Sequence, residues 1–211
     1  MLHVIQLKSF QIQSMDLQLL IRNYRREEIT INPTSANIYA VILMMPMMLA
    51  LGLPYYLLWK ENFTAERITV FVAANKQLVT YSAPIIICTM IIGVILHELI
   101  HGITWACFAK DGFKSIKFGI IWKVLTPYCH CTEPLTIKNY ITGGIMPAVV
   151  LGFAPAVIGL VTGHLAFFTF GLFFTTAAAG DFMVIFLLRK EDKNSFVQDH
   201  PSKIGCYIFR K

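Results

Sequence analysis

Four long apolar runs, separated by polar segments, organise the chain. Ile38 to Trp59 carries no charge at all. Ala83 to Phe108 is the second run, Ile141 to about Gly163 the third, and Leu165 to Leu188 the fourth. Each holds at least the roughly 20 residues that cross a hydrocarbon layer about 30 Å thick at about 1.5 Å per residue. The pattern predicts helices over about 38–59, 83–108, 141–163 and 165–188. Pro46 and Pro54 in the first, and Gly143-Gly144, Pro147 and Pro155 in the third, predict kinks, which membrane helices tolerate. Only Gly163-His164 separates the third run from the fourth, so those two form a tight helical hairpin. The segments between runs read differently. Residues 1–37 are polar and mixed and admit either a short hairpin or an interfacial helix. Residues 60–82 read as a polar connector and 189–211 as a charged tail. Ser115 to Leu125, inside the mixed segment 109–139, is rich in β-formers and predicts a strand pair. The expected fold class is an all-α membrane protein of about four transmembrane helices (domain 38–188), with a short loop, of β-hairpin type if that pair forms, between helices two and three. Residues 1–37 and 189–211 flank it as an N-terminal segment and a tail.

Composition sharpens this picture. Of 211 residues, 56% are hydrophobic and 14% charged, and mean hydropathy is +0.61. Soluble domains sit near 45–50% apolar and about 25% charged. The formal charge of +6 suggests nucleic acid in a soluble protein, but here the Lys and Arg flank apolar runs and do not interleave with aromatics. Nucleic-acid binding is therefore excluded, and the lipid bilayer is the expected partner. Lys and Arg number four in residues 1–37, three in 60–82, five in 109–139, none at 163–164 and six in 189–211. One side thus carries fifteen and the other three. The positive-inside rule places both termini and the 109–139 loop in the cytoplasm of a multi-pass cell-membrane protein. Five cysteines, two of them in apolar runs, predict no disulfide framework. No cleavable signal peptide is expected, because residues 1–37 lack an early apolar core with a small-residue cleavage site.

The second run contains His97-Glu98-Leu99-Ile100-His101. On a helix, positions i and i+4 share one face a turn apart, so both imidazoles can reach one tetrahedral zinc ion at about 2.0–2.1 Å. Glu98 lies on the neighbouring surface, beside the metal without having to bind it. There it can take a proton from the attacking water and pass it to the leaving amine. Ionisable residues inside a spanning helix cost at least a few kcal/mol and mark function. The structural alternative is a buried polar cluster that ties helices together.

A catalytic zinc keeps three protein ligands and one open position. Asp181 is the expected third ligand. It is the sole charged residue between Leu165 and Leu188, and the small residues Ala177 to Gly180 before it let helices approach closely. If helices two and four both run inward, His97 and Asp181 lie at depths of about 21 and 24 Å, nearly level. Competing third donors are Glu133, in a loop that reads as exposed, and the Cys129-His130-Cys131 cluster. His164 reads as a turn residue at the opposite surface. Asp199-His200-Pro201 in the tail reads as a solvated turn, with a fold back towards the site as the alternative.

These residues carry a resemblance. The chain resembles the small bacterial membrane proteins described as zincin peptidases, of the domain of unknown function 3267 family. The matching features are His97–His101 in an apolar helix, Tyr128-Cys129-His130-Cys131, Gly180-Asp181, and Asp199-His200-Pro201 to Gly205. They span roughly residues 85–205. More distantly the chain is similar to site-2 proteases, which place H-E-x-x-H on one helix and an aspartate ligand on a later one. Here those roles fall on His97, Glu98, His101 and Asp181. In site-2 proteases Asp usually precedes Gly, whereas here Gly180 precedes Asp181, and the loops are too short for a regulatory peptide-binding domain.

The expected function is a membrane-embedded zinc metallopeptidase that acts on a membrane protein or peptide, with Glu98 as general base. Two alternatives stand beside it: a zinc hydrolase with a non-peptide substrate such as a lipid, and a non-enzymatic metal-binding membrane protein.

Overall fold

The computed structural model describes residues 22–122, 126–200 and 203–211. Residues 1–21, which hold most of the segment expected as a hairpin or interfacial helix, lie outside the described residues, and so do 123–125 and Pro201-Ser202. The chain is mostly helical, with a small antiparallel sheet at one end.

Strand β1 (Arg25–Ile31) leads into helix α1 (Pro33–Trp59). The start is encoded locally: the Asn32 side chain accepts from the Thr34 backbone N–H at 2.9 Å, and proline occupies the first turn. Pro46 and Pro54 sit inside α1 without ending it. The far end of α1 is pinned. Trp59 Nε1–H donates to the Leu160 carbonyl at 2.8 Å, Tyr55 Oη–H to the Gly163 carbonyl at 3.0 Å, and the Tyr55 ring stacks on Phe168.

The expected polar connector is largely helical, as α2 (Ala65–Ala74) and α3 (Lys76–Thr80), neither with a buried residue. Helix α4 (Ser82–Ala106) follows and carries the signature. Its buried residues (Gly93, His97, His101, Gly102, Trp105 and Ala106) all lie from Gly93 onward, while Ile85, Ile86, Ile87, Ile91 and Ile92 remain exposed. Hairpin strands β2 (Ile116–Ile121) and β3 (Thr126–Cys131) pair antiparallel from Ile116↔Cys131 onward. The expected strand pair within 115–125 therefore lies further along: 115–125 supplies one strand, and the Tyr128–Cys131 stretch belongs to the other.

After β4 (Leu135–Thr136) comes one continuous rod: α5 (Ile137–Pro147), a π-helical turn (Ala148–Phe153) and α6 (Ala154–Thr162). The wide turn lies between Pro147 and Pro155. Each proline lacks an N–H and crowds the carbonyl four residues before it, so the backbone register slips there. Gly163, at φ +73°, ends the rod in the left-handed region that glycine adopts without strain. Helix α7 (Leu165–Ala177) then returns along α6, and α8 (Ala179–Leu188) continues it after a bend of 42°.

Three of these helical stretches are long and apolar enough to cross a membrane, namely Thr34–Phe63, Ser82–Ala106 and Ile137–Thr162, and α7 with α8 makes a fourth if the bent pair is one span. The exposed faces of α1 and α4 are far more apolar than a soluble monomer presents.

The all-α expectation requires correction. β1, β4, β5 (Phe196–Asp199) and β6 (Ile204–Arg210) form one antiparallel sheet in the order β1-β6-β5-β4. What read as a charged tail is thus two strands, and the last residues before α1 supply a third. Leu135, Val197, Cys206 and Ile208, all buried, join Trp105, Tyr140 and Leu188 from the helices in one core. The sheet therefore seals the end of the helix bundle where the second half of α4, the start of α5 and the end of α8 meet.

Candidate metal centre

Two donors come from α4 and one from α8. His97 and His101 lie a turn apart, with rings at 76° and Nε2 atoms 3.2 Å from each other. Asp181, in the first turn after the bend, reaches both: Oδ2 is 3.2 Å from His97 Nε2 and Oδ1 is 3.4 Å from His101 Nε2. One ligand atom from each residue lies within 4.8 Å of the others. His101 is 4% exposed and His97 9%, whereas the Asp181 side chain is 28% exposed toward the adjoining cavity.

Surrounding groups aim the donors. His101 Nδ1–H donates to the Gly143 carbonyl of α5 at 2.8 Å. That bond fixes the tautomer and leaves the Nε2 lone pair facing His97 and Asp181. Behind it the His101 ring stacks on Trp105, and Trp105 stacks on Tyr140 and donates its indole N–H to the Tyr140 carbonyl at 3.0 Å. Gly143 is required by this packing, because a Cβ there would come within 2.1 Å of the Trp105 ring.

Glu98 is half-buried on the flank of α4 and faces a cavity of about 690 Å³ that also contains His97, His101 and Asp181. Cys129 of β3 lines the same cavity opposite it. The glutamate is thus beside the donor set and outside it.

The donor chemistry fits zinc. Two imidazole nitrogens and one carboxylate oxygen are the borderline ligands that zinc takes, and three protein donors facing a cavity leave a fourth position for substrate or solvent. No Lys or Arg forms an ion pair with Asp181 among the described residues; its ion-pair partners are the two histidines.

The competing donors are engaged elsewhere. Glu133 accepts from the backbone N–H groups of Lys110 (2.7 Å) and Asp111 (3.1 Å) and from the Ser115 hydroxyl, so it ties down the turn before β2. Cys131 is buried, and burial pushes its thiol up to about 12. Burial also raises Cys129 well above the ordinary thiol range, and neither cysteine belongs to the group formed by His97, His101 and Asp181. His164 precedes the first residue of α7, with its ring against Phe167 and no side-chain capping bond.

One expectation is overturned. Asp199 and His200 do not form a solvated turn. His200 is 9% exposed, with Nδ1 accepting from the Lys203 backbone N–H at 2.9 Å and Nε2 3.1 Å from Tyr207 Oη. Asp199 reaches into the wall of the metal cavity. Its Oδ1 accepts from Tyr140 Oη–H at 2.5 Å and its Oδ2 from the Cys131 N–H at 2.8 Å. Burial raises its carboxyl above the usual range, and the Tyr140 and Cys131 hydrogen bonds oppose that rise. Tyr140 and Trp105 had no sequence signal as site residues, since an aromatic in an apolar run looks like any other packing residue.

A helical protein with a two-histidine, one-carboxylate centre, flanked by a glutamate and sealed by a small sheet, is the class that fold and donors define. Within that class the chain belongs to the family described as "Putative zincin peptidase" (domain of unknown function 3267), whose model matches residues 90–196, just over half the chain. That range includes His97, Glu98, His101 and Asp181 and stops short of Asp199. No curated protein and no solved structure matches the chain.

Proposed function

We propose that this protein is a zinc metallopeptidase embedded in the cell membrane, cutting peptide bonds in or beside the lipid layer. The observation that carries the reading is the convergence of His97, His101 and Asp181 from two helices with Glu98 alongside. His97, His101 and Asp181 would hold the metal. When bound, zinc supplies Lewis acidity, which brings the pKa of water toward about 7 and polarises a scissile carbonyl. Glu98 does the proton work: a carboxylate oxygen takes the proton of the attacking water and returns it to the leaving amine nitrogen. The Gly143 carbonyl keeps His101 in the tautomer that the site needs. The peptide enters the cavity between β3 and α8, and the Trp105–Tyr140 stack backs the site.

The same proposal sets the chain in the membrane as four spans, with α7 and α8 as one bent span. The charge asymmetry of fifteen against three supports placing both termini, the hairpin and the sheet in the cytoplasm. The donors then lie in the cytoplasmic half of the layer.

The test uses Glu98→Gln in detergent-purified full-length protein. Zinc should remain at about one per chain, while the membrane-protein fragments that depend on the wild type disappear from a comparative membrane proteome. A variant that keeps both zinc and the cleavage pattern would remove Glu98 from the mechanism. Indifference of the proteome to wild type and variant alike would reduce the protein to a metal-holding scaffold.

A further inference from the structure

The metal cavity does not end at the metal donors. Past Tyr128, His130 and Asp199 it adjoins a second basin of about 460 Å³, and those three residues line both. The two spaces together form a cleft that runs from α4 and α8 to a gap between the hairpin and the sheet.

The character of the second basin is cationic. Lys117 and His130 are direct cross-strand partners in the β2–β3 ladder, so their side chains leave the same face of the hairpin. Tyr128, two residues from His130, shares that face. From the opposite wall, β1 contributes Arg26, whose guanidinium rests 3.6 Å over the Tyr207 ring. This contact braces the head of Arg26 without neutralising it.

Nearby carboxylates are already committed. Glu28 pairs with Lys203 at 2.6 Å, Glu27 with Arg210 and Arg25, and Asp199 accepts from Tyr140 and Cys131. Neither Arg26 nor Lys117 has a carboxylate within ion-pair distance among the described residues. Two cations without an ion-pair partner therefore face one basin, in continuity with the metal donors, and its one lining carboxylate, Asp199, is held on the far wall by Tyr140, Cys131 and, at 3.8 Å, His130 Nδ1.

We propose that this basin binds a carboxylate of the peptide substrate, on the side of the scissile bond that leaves the membrane. The inference rests on the peptidase reading and adds a specificity to it: peptides that carry negative charge beyond the bond cut. An acidic side chain and a free C-terminus offer the same chemistry.

The test measures binding separately from turnover. Full-length Glu98→Gln protein in detergent is titrated into three dye-labelled peptides of one apolar sequence: a Glu-Glu end with an amidated terminus, a Gln-Gln end with a free carboxylate, and a Gln-Gln end amidated. Fluorescence anisotropy reads affinity. The Glu-Glu peptide should bind tightest of the two amidated ones. Arg26→Ala with Lys117→Ala should weaken it about tenfold, as two partly solvated charge contacts predict, and should leave the neutral amidated peptide unchanged. The free-carboxylate peptide tells the sources apart: loss of its affinity as well shows that the basin takes a chain-end carboxylate as readily as an acidic side chain, and indifference assigns it to acidic side chains. Lys117→Glu, at an exposed strand position, should reproduce the loss without touching the Arg26–Tyr207 contact. Equal affinity for all three peptides, or an equal loss for all three in the variants, overturns the proposal. Zinc-loaded wild type, assayed for cleavage of the same peptides, keeps the two ideas separate. Cleavage with no charge preference sinks the basin alone. Charge-selective binding without cleavage supports the basin as an anion site and sinks the peptidase.

Discussion

Helix α4 and the α7–α8 pair both deliver side chains to the candidate metal centre, and they do so by opposite means. α4 is unbroken through 25 residues and places two histidines by its own periodicity. The α7–α8 pair places one aspartate by breaking: Ala178 leaves the helical register, the axis turns by 42°, and Asp181 sits in the first turn beyond. A straight helix can repeat a donor every turn on one face. A single donor from a neighbouring helix has no such repeat and must be aimed. The supporting contacts differ in the same way. His101 is held by the Gly143 carbonyl and the Trp105–Tyr140 stack, whereas the carboxylate oxygens of Asp181 face the histidines and the cavity. The α4 side is braced by its surroundings, and the α8 side is oriented by its backbone.

That contrast sets the largest expected effects. His97→Ala or His101→Ala leaves a single imidazole and one carboxylate, so copurified zinc should fall from about one per chain to background. Asp181→Ala keeps the braced histidine pair and should weaken zinc strongly without abolishing residual binding at high zinc. Metal analysis across a chelator titration orders the three. Full zinc retention by Asp181→Ala would mean that the bend serves some other purpose.

The contrast also separates what could be read from the sequence. Long apolar runs announce helices because the information is one-dimensional and each run nearly spans its helix. The i, i+4 spacing of His97 and His101 is likewise local. Asp181 stood out by being charged where nothing else was, yet its bend has no marker, since Ala177, Ala178 and Ala179 are all good helix formers. The sheet was illegible for a different reason. Its strands come from three distant segments, β4 is two residues long, and β1 reads Arg-Arg-Glu-Glu-Ile-Thr-Ile, whose charges resemble a solvated linker. Only the pairing of Arg25–Ile31 with Ile204–Arg210 gives those residues an inner face. Asp199 was misread with them, because a carboxylate beside His and Pro looks like a turn until β5 carries it into the cavity wall.

Asp199 offers an intermediate effect that probes the bracing of α4. It holds Tyr140, which backs Trp105 and so His101. Its carboxyl is raised in the folded protein, so the neutral form is favoured there. The stability this contributes is full below the ordinary carboxyl range near about 3.9 and is lost as pH rises through the raised folded value. Asp199→Asn stays neutral throughout. Thermal unfolding in detergent should therefore show a wild-type midpoint that declines from acidic toward neutral pH, and a flatter profile in the variant. If the two slopes coincide, Asp199 is not the group that couples the sheet to pH.

The smallest effect tests the bend itself. Gly180 lies between the break and Asp181, and a Cβ built there would meet nothing within 4 Å. Two accounts of the bend then differ. If packing of α7 and α8 against α1 and α5 sets the angle, glycine is a passive occupant. Gly180→Ala should then stabilise the fold by about 0.4–1 kcal/mol through lower unfolded-chain entropy and better helix propensity, with zinc affinity unchanged. If the angle depends on the freedom of glycine, alanine will straighten the pair, draw Asp181 away from His97 Nε2 and lower zinc affinity toward that of Asp181→Ala. Unfolding midpoint and zinc affinity thus move together in neither case: the first account raises one and leaves the other, and the second lowers affinity while helix propensity still favours alanine.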